Sequence, residues 1–160
     1  MNEKRVFEKI VSGGQTGVDR AALDAAMAWG IPVGGWCPNG RRAEDGVIDP
    51  RYPLMETPDP QYAQRTAWNV RDSDGTLVLL VDQLSPGTKL TIEKANALGK
   101  ALLLINLTMH PDAMDVVKWL QTTAIQVLNV AGPRESEAPG MYEAARAFLD
   151  EVLASYDGVE

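Results

Sequence analysis

A glycine-rich segment near the N-terminus carries residue types that can hold an anion. It reads Ser12-Gly13-Gly14-Gln15-Thr16-Gly17-Val18-Asp19-Arg20, between a short apolar run and an amphipathic stretch. Glycines at such a turn let the backbone approach a ligand, and the N–H groups that open a helix attract an anion. The alternative is that the glycines only form a tight turn. We predict that the ligand site includes Gly13, Gly14, Gln15, Thr16, Gly17 and Asp19.

Two later turns repeat this chemistry. Ser85-Pro86-Gly87-Thr88 leads into a predicted helix, where Thr88 would cap the helix and Thr91 lies one turn later on the same side. Ala131-Gly132-Pro133-Arg134 follows an apolar run, and Arg134 could pair with a phosphate through two hydrogen bonds. A simple helix cap and a surface arginine are the alternatives. Because the carboxyl ends of parallel strands lie at one sheet edge, we expect the three turns to converge there. The predicted site therefore also includes Gly87, Thr88, Thr91, Gly132 and Arg134.

One predicted helix carries a polar stripe. Arg65, Asn69 and Asp72 are spaced i, i+4, i+7, so they share a helix face. A solvated face is the alternative explanation. We place Arg65 and Asn69 in the predicted ligand site. If the protein is an enzyme, Arg65 would anchor the substrate, and Glu44, Asp45 or Asp72 would supply acid–base function.

Familiar nucleotide and metal motifs fit poorly. A P-loop requires Gly-Lys-Ser/Thr, and the first turn has no lysine. In the dinucleotide fingerprint Ser12 would replace the first glycine, and Gly35-Trp36-Cys37 offers no carboxylate to hold a ribose. The single cysteine, Cys37, and the single histidine, His110, argue against a structural zinc site and a Cys–His nucleophile. We predict no metal site.

The composition is that of a globular protein. The chain has 160 residues, 45% of them apolar and 23% charged, with a net charge of −7 that argues against a nucleic-acid partner. It contains no apolar run long enough for a membrane span, and one cysteine fits a reducing compartment. From the residues at the N-terminus we expect no secretory signal. We expect a cytoplasmic protein that does not bind membranes. The basic cluster Arg41, Arg42 and Arg51 could be a salt-bridged loop or an anion site.

Apolar runs alternate with amphipathic stretches, a pattern typical of βα units. The predicted strands are 8–12, 31–36, 54–57, 76–81, 101–105 and 125–130, and the predicted helices are 18–29, 61–73, 88–98, 111–122 and 140–156. The sequence therefore predicts one α/β domain over residues 1–160, a Rossmann-like three-layer sandwich with a mostly parallel central sheet of five or six strands.

Several details of these elements can be predicted. The runs 76–81 and 101–105 should be buried, and the helix at 61–73 should bury Tyr62, Thr66 and Val70. The long loop 37–53 is a candidate functional segment. The four tryptophans, Trp29, Trp36, Trp68 and Trp119, favour a homo-oligomer, because bulky aromatics are enriched at interfaces.

The sequence resembles the molybdenum carrier family over nearly its whole length. The resemblance rests on the segments 13–24, 40–46, 65–76, 87–95 and 129–136, which begin with Gly13-Gly14-Gln15-Thr16-Gly17-Val18-Asp19-Arg20. That family is related to YpsA within the SLOG superfamily, which also contains the LOG phosphoribohydrolases. The resemblance implies a Rossmann-like domain that binds a phosphorylated small molecule. A nucleotide and the molybdenum cofactor, a pterin with a phosphate tail, are the ligands it suggests.

The comparison with the LOG enzymes is informative because the chain departs from them. They cleave an N-glycosidic bond with an arginine, which Arg65 matches, and a glutamate in Pro-Gly-Gly-x-Gly-Thr-x-x-Glu. Here Thr91 occupies the glutamate position, and Glu93 lies about 200° further around the helix. We therefore expect a binding protein, and the resemblance implies a carrier of this cofactor. A nucleotide or nucleoside-phosphate hydrolase and a nucleotide-sensing regulatory module are the alternatives.

Overall fold

Five parallel strands form the central sheet of the structure, a computed structural model that describes residues 7–157. In chain order the elements are β1 (Lys9–Val11), α1 (Val18–Ala28), β2 (Val33–Gly34), β3 (Trp36–Cys37), β4 (Arg42–Ala43), β5 (Gly46–Val47), β6 (Met55–Glu56), α2 (Tyr62–Arg71), β7 (Gly75–Leu80), α3 (Pro86–Ala97), β8 (Ala101–Asn106), a short 3₁₀ turn (Leu107–Met109), α4 (Ala113–Thr122), β9 (Val127–Ala131) and α5 (Met141–Asp157). The predicted Rossmann-like α/β fold is confirmed.

The strand order is β2-β1-β9-β7-β8, and every neighbouring pair is parallel. If β9 is counted first, followed by β1, β2, β7 and β8, the order becomes 3-2-1-4-5, that of a doubly wound Rossmann sheet. The last strand of this chain thus takes the central place that the first strand has in that fold. In such sheets the ligand crevice lies where the strand order reverses, which here is between β9 and β7.

The helices form two layers. Helix α5 contacts both α1 and α4, while α2 and α3 contact each other. Every residue of β7 is buried, which confirms the prediction for residues 76–80, since a central strand is covered on both faces. Val81 follows the strand and is half-buried. The larger hydrophobic core lies between the sheet and the layer of α1, α4 and α5.

Three predicted elements differ in the structure. The strand β8 is not fully buried, since it lies at the sheet edge and Leu104 is 45% exposed. The predicted strand 31–36 is split, because β2 joins the central sheet while β3 pairs with β6 in a separate two-stranded sheet. Helix α4 begins after Asp112, whose side chain accepts from the N–H of Met114, so Pro111 precedes the helix.

The long loop after β3 is an ordered unit. It contains a two-residue hairpin in which β4 and β5 are antiparallel. A second, smaller hydrophobic cluster anchors the loop to α1. Its buried members are Leu23, Cys37, Ile48, Tyr52 and Leu54.

The tryptophans are largely engaged within the chain. The rings of Trp36 and Trp68 pack edge to face with centroids 4.7 Å apart. Trp29 is 39% exposed, and its indole N–H donates to Asp150.

No helix in the described part of the chain is both long and apolar enough to cross a membrane.

Candidate functional site

A cavity of about 310 Å³ lies at the carboxyl ends of the central strands. Its wall is formed by the turn after β1, by α2, by the start of α3 and by the end of β9 with its exit turn. The structure therefore brings the three predicted turns together at the point where the strand order reverses. Ten of the predicted ligand residues line the cavity: Gly13, Gln15, Asp19, Arg65, Asn69, Gly87, Thr88, Thr91, Gly132 and Arg134.

Arg65 lies in the cavity wall and is 8% exposed. Its Nη1 donates to the carbonyl of Gly13 at 2.9 Å and lies 3.8 Å from Oδ2 of Asp19. Its guanidinium also faces the ring of Tyr62, with Cζ 5.1 Å from the ring centroid. These contacts hold the guanidinium cation of Arg65 in place at the cavity wall. A guanidinium has five N–H donors, so it can donate further hydrogen bonds to a ligand.

The predicted inner face of α2 is partly wrong. Arg65, Asn69 and Val70 are its buried residues, whereas Tyr62 and Thr66 are half-buried. The polar stripe can face inward because its groups find partners. Asn69 both donates to the carbonyl of Trp36 and accepts from its N–H, at 2.9 and 2.8 Å, so its amide primarily anchors β3.

Gln15 presents a buried donor beside the cavity. Its Oε1 accepts from the backbone N–H groups of Thr16 and Glu44, at 3.1 and 2.8 Å, and these two bonds fix which end of the amide is the oxygen. Its Nε2 has no hydrogen-bond partner within residues 7–157. A buried donor left unpaired is costly, so this group calls for an acceptor that residues 7–157 do not supply.

The first turn works differently from the prediction. The N–H of Gln15 donates to Asp19, and that of Val18 to the carbonyl of Pro133. Gly14 and Gly17 do not line the cavity. Both have positive φ, +78° and +80°, and a Cβ would lie 2.6 Å from Leu54 at Gly14 and within 2.9 Å of the backbone of Arg134 at Gly17. These glycines thus allow close packing of the chain on itself.

Asp19 brings a carboxylate into the cavity wall. The residue is 7% exposed, and burial raises its pKa above the ordinary 3.8. Arg65, the N–H of Gln15 and Arg20 act in the opposite direction without cancelling the effect of burial. The ionised form of Asp19 is therefore held beside Arg65 at a free-energy cost.

The start of α3 is capped by Ser85. Its hydroxyl accepts from the N–H of Thr88, so the predicted cap at Thr88 is wrong by three residues. Pro86 has no N–H, which leaves the N–H of Gly87 as a donor of this turn for a ligand. Thr91, at the position of the LOG glutamate, is buried in the wall and donates to the carbonyl of Gly87. Glu93 is exposed and lies outside the lining.

Arg134 lies at the cavity wall with 36% of its side chain exposed. Its Nε is 3.6 Å from Glu137 and 3.8 Å from Glu44, and its guanidinium faces the ring of Tyr62 with Cζ 6.0 Å from the centroid. Arg65 and Arg134 therefore meet the same tyrosine ring from two segments of the chain.

The predicted acid–base residues lie outside the cavity lining. Glu44 contacts Thr16 and Ser136, while Asp45 forms an ion pair with Arg20 at 3.1 Å. Asp72 binds Arg71 at 2.8 Å and accepts from the indole of Trp36. Cys37 is fully buried, and burial raises the pKa of its thiol, which does not suit a nucleophile.

The basic cluster of the loop has three separate roles. Arg41 donates to four backbone carbonyls, so it is a structural residue of the loop. Arg51 lies 3.5 Å from Asp24 and donates to Tyr52. Arg42 donates to the carbonyl of Pro60 and faces Tyr62.

The sequence interpretation missed several lining residues. Asn129 is buried and donates to Thr76 across neighbouring strands, and Glu137 and Tyr62 complete the wall near Arg134. Asn129 had a signal, since it is a polar residue within a predicted buried strand. For Tyr62 the helical periodicity predicts a core position, whereas the residue lines the cavity.

Comparison with known proteins gives the family. The model of the circularly permutated YpsA SLOG family matches residues 10–153. The fold is similar to the crystal structure of a protein from Syntrophus aciditrophicus named "putative molybdenum carrier protein", with a TM-score of 0.89 and 43% sequence identity, covering 92% of this chain and 96% of the other. No protein of curated function matches the sequence. The chain belongs to the circularly permutated YpsA family of the SLOG superfamily.

Proposed function

We propose that the protein binds a small anionic ligand in the cavity between β9 and β7. The negative charge of this ligand would be carried by a phosphate or a comparable oxyanion. The observation that carries the proposal is the buried Nε2 of Gln15, which lacks a partner among the described residues and belongs to a lining residue of that cavity. An anion oxygen would satisfy this donor, and the neighbouring Arg65 would supply charge.

The surrounding wall supports the same chemistry. Arg65 and Arg134 are cationic, and the start of α3 adds the N–H of Gly87 and the positive end of a helix dipole. The carboxylates of Asp19 and Glu137 also line the cavity. A ligand with both an anionic group and hydrogen-bond donors, such as hydroxyl or amino groups, would match this mixed wall.

The ligand classes that fit are a nucleotide and the molybdenum cofactor as cargo. The cavity volume lies at the lower end of the range for small-molecule sites. The name of the Syntrophus protein suggests a molybdenum-related ligand. Gln15, Arg65 and Gly87 would hold the phosphate tail of the cofactor, as they would the phosphate of a nucleotide.

A hydrolase of LOG type is the second candidate function, and one observation favours it. Asp19, with a pKa raised by burial, lines the cavity beside Arg65 and could hold a proton near a bound substrate. Thr91 at the position of the LOG glutamate and the exposed Glu93 speak against it.

Isothermal titration calorimetry with inorganic phosphate, molybdate and adenosine monophosphate tests the proposal. We expect saturable binding of at least one of these probes and loss of that binding in Arg65→Ala. Arg71→Ala is the matched control, since Arg71 lies on the same helix but outside the cavity lining. Absence of binding by all three probes would refute the proposal. Release of adenine from the monophosphate, abolished in Asp19→Asn, would favour the hydrolase instead.

A further inference from the structure

The two-residue tip of the β4–β5 hairpin lies across the rim of the cavity. The tip consists of Glu44 and Asp45, between the paired residues Ala43 and Gly46. Asp45 binds Arg20 of α1 through two hydrogen bonds of 3.1 Å. Glu44 contacts Thr16 in the turn after β1 and Ser136 in the turn after β9, which are separated by more than a hundred residues of sequence.

The carboxylate of Glu44 is held by four groups. One oxygen accepts from the hydroxyl of Thr16 and from the N–H of Ser136 at 3.1 Å. The other accepts from the hydroxyl of Ser136 at 2.5 Å and lies 3.8 Å from Nε of Arg134. Burial acts to raise the pKa of Glu44, but the hydrogen bonds from Ser136 and Thr16 outweigh it and the pKa is lowered.

The backbone of the same residue contacts the cavity wall. The N–H of Glu44 donates to Oε1 of Gln15 at 2.8 Å. That bond turns the oxygen of the amide toward the hairpin and leaves Nε2 as a donor without a partner among residues 7–157. The carboxylate, by docking the tip, thus keeps this N–H within reach of Gln15 and keeps Arg134 at the wall.

We infer that Glu44 is a positioning residue of the anion site, acting through Gln15 and Arg134 without touching the ligand. The inference rests on the proposed function, and it makes the loop after β3 part of the binding site. It gives Glu44, one of the two acidic residues in the segment 40–46, a role that is distinct from acid–base chemistry.

The first test needs no ligand. In Glu44→Gln the amide cannot accept from Thr16 and Ser136 as the carboxylate does, whereas the size of the side chain is kept. We expect the NMR signals of the Gln15 side-chain NH2 and the Arg134 Nε–H to shift. Glu151→Gln, an exposed residue of α5, controls for the lost charge. Unchanged Gln15 and Arg134 signals would overturn the inference whether or not a ligand is known.

The second test is a double-mutant cycle with adenosine monophosphate as the probe. Glu44→Gln should weaken binding about fivefold to tenfold, and should have no further effect in a Gln15→Ala, Arg134→Gln background that still binds through Arg65. Equal losses in both backgrounds would show that Glu44 acts independently of these residues and would overturn the inference. Failure of the wild-type protein to bind the probe would count against the proposed function alone, since the NMR outcome stands separately.

Discussion

Arg65 donates through Nη1 to the carbonyl oxygen of Gly13, at 2.9 Å, across 52 residues of sequence. This bond joins the middle of α2 to the turn after β1 and fixes a guanidinium in the cavity wall. The same nitrogen lies 3.8 Å from Asp19, so one side chain links the turn, the first helix and the second helix. A change at Arg65 should therefore alter ligand binding and stability together.

Arg65→Ala should reduce affinity for adenosine monophosphate at least about tenfold, because a charge-assisted hydrogen bond contributes about 1.5–3 kcal/mol. Arg65→Lys should not restore affinity, because an ammonium group cannot reproduce the planar, paired N–H donors of the guanidinium. Both variants should also unfold at lower denaturant concentration, since the carbonyl of Gly13 loses its partner. Calorimetry and urea denaturation measure the two effects. Affinity in Arg65→Ala equal to that of Arg71→Ala would contradict the assignment.

Gly14→Val is expected to destabilise the protein. The sequence places Gly14 in the predicted ligand site, but a Cβ at Gly14 would lie 2.6 Å from Leu54 and 2.9 Å from Ile48. Strain at φ +78° and crowding of the loop should together cost about 2–4 kcal/mol of unfolding free energy. Gly30→Val is the matched control, with φ +72° and open space around its Cβ, so it should show the strain alone. Equal losses in the two variants, by chemical denaturation, would refute the crowding argument.

Gly87→Ala separates binding from folding. Gly87 lines the cavity in the first turn of α3, and a Cβ there would meet no atom within 4 Å. The free energy of unfolding should stay constant or rise by up to about 1 kcal/mol, because alanine suits a helix better than glycine. Affinity for phosphate should fall about fivefold if the ligand approaches this backbone. Unchanged affinity would place the ligand away from the start of α3.

The pH dependence of anion binding should report on Asp19. Burial raises its pKa above 3.8, and protonation frees the charge of Arg65. Affinity for sulfate, whose charge is constant over this range, should therefore be highest below that raised pKa and fall as the pH rises through it. The free energy of unfolding should depend on pH in the same direction. The contribution of neutral Asp19 is fully present below the pKa that Asp19 has in the unfolded chain, and it is lost as the pH rises through the raised pKa of the folded protein.

In Asp19→Asn the affinity for sulfate should depend much less on pH, because the titrating carboxyl group is gone. Glu151→Gln serves as the control and should keep the wild-type slope, since that exposed carboxylate is remote from the cavity lining. An Asp19→Asn profile as steep as that of the wild type would show that another group causes the pH dependence.

Local patterns in the sequence determined much of this protein. The apolar run at 76–81 predicted a buried strand, and β7 forms over Gly75–Leu80. The motif beginning at Gly13 carried the family resemblance, which the comparisons confirm. These features depend on residues that are neighbours in sequence, so they can be read without knowing the fold.

The tertiary structure alone decided which polar groups are buried and which segments meet. Arg65 and Asn69 face inward because Gly13 and Trp36 offer backbone partners, and helical periodicity cannot foresee partners from other segments. The central place of β9 sets the ligand crevice, yet strand order leaves no local trace in sequence. Glu44 lies at the rim because the hairpin folds across two distant turns. Each of these facts arises from contacts over many residues, whose energies exist only once the chain is folded.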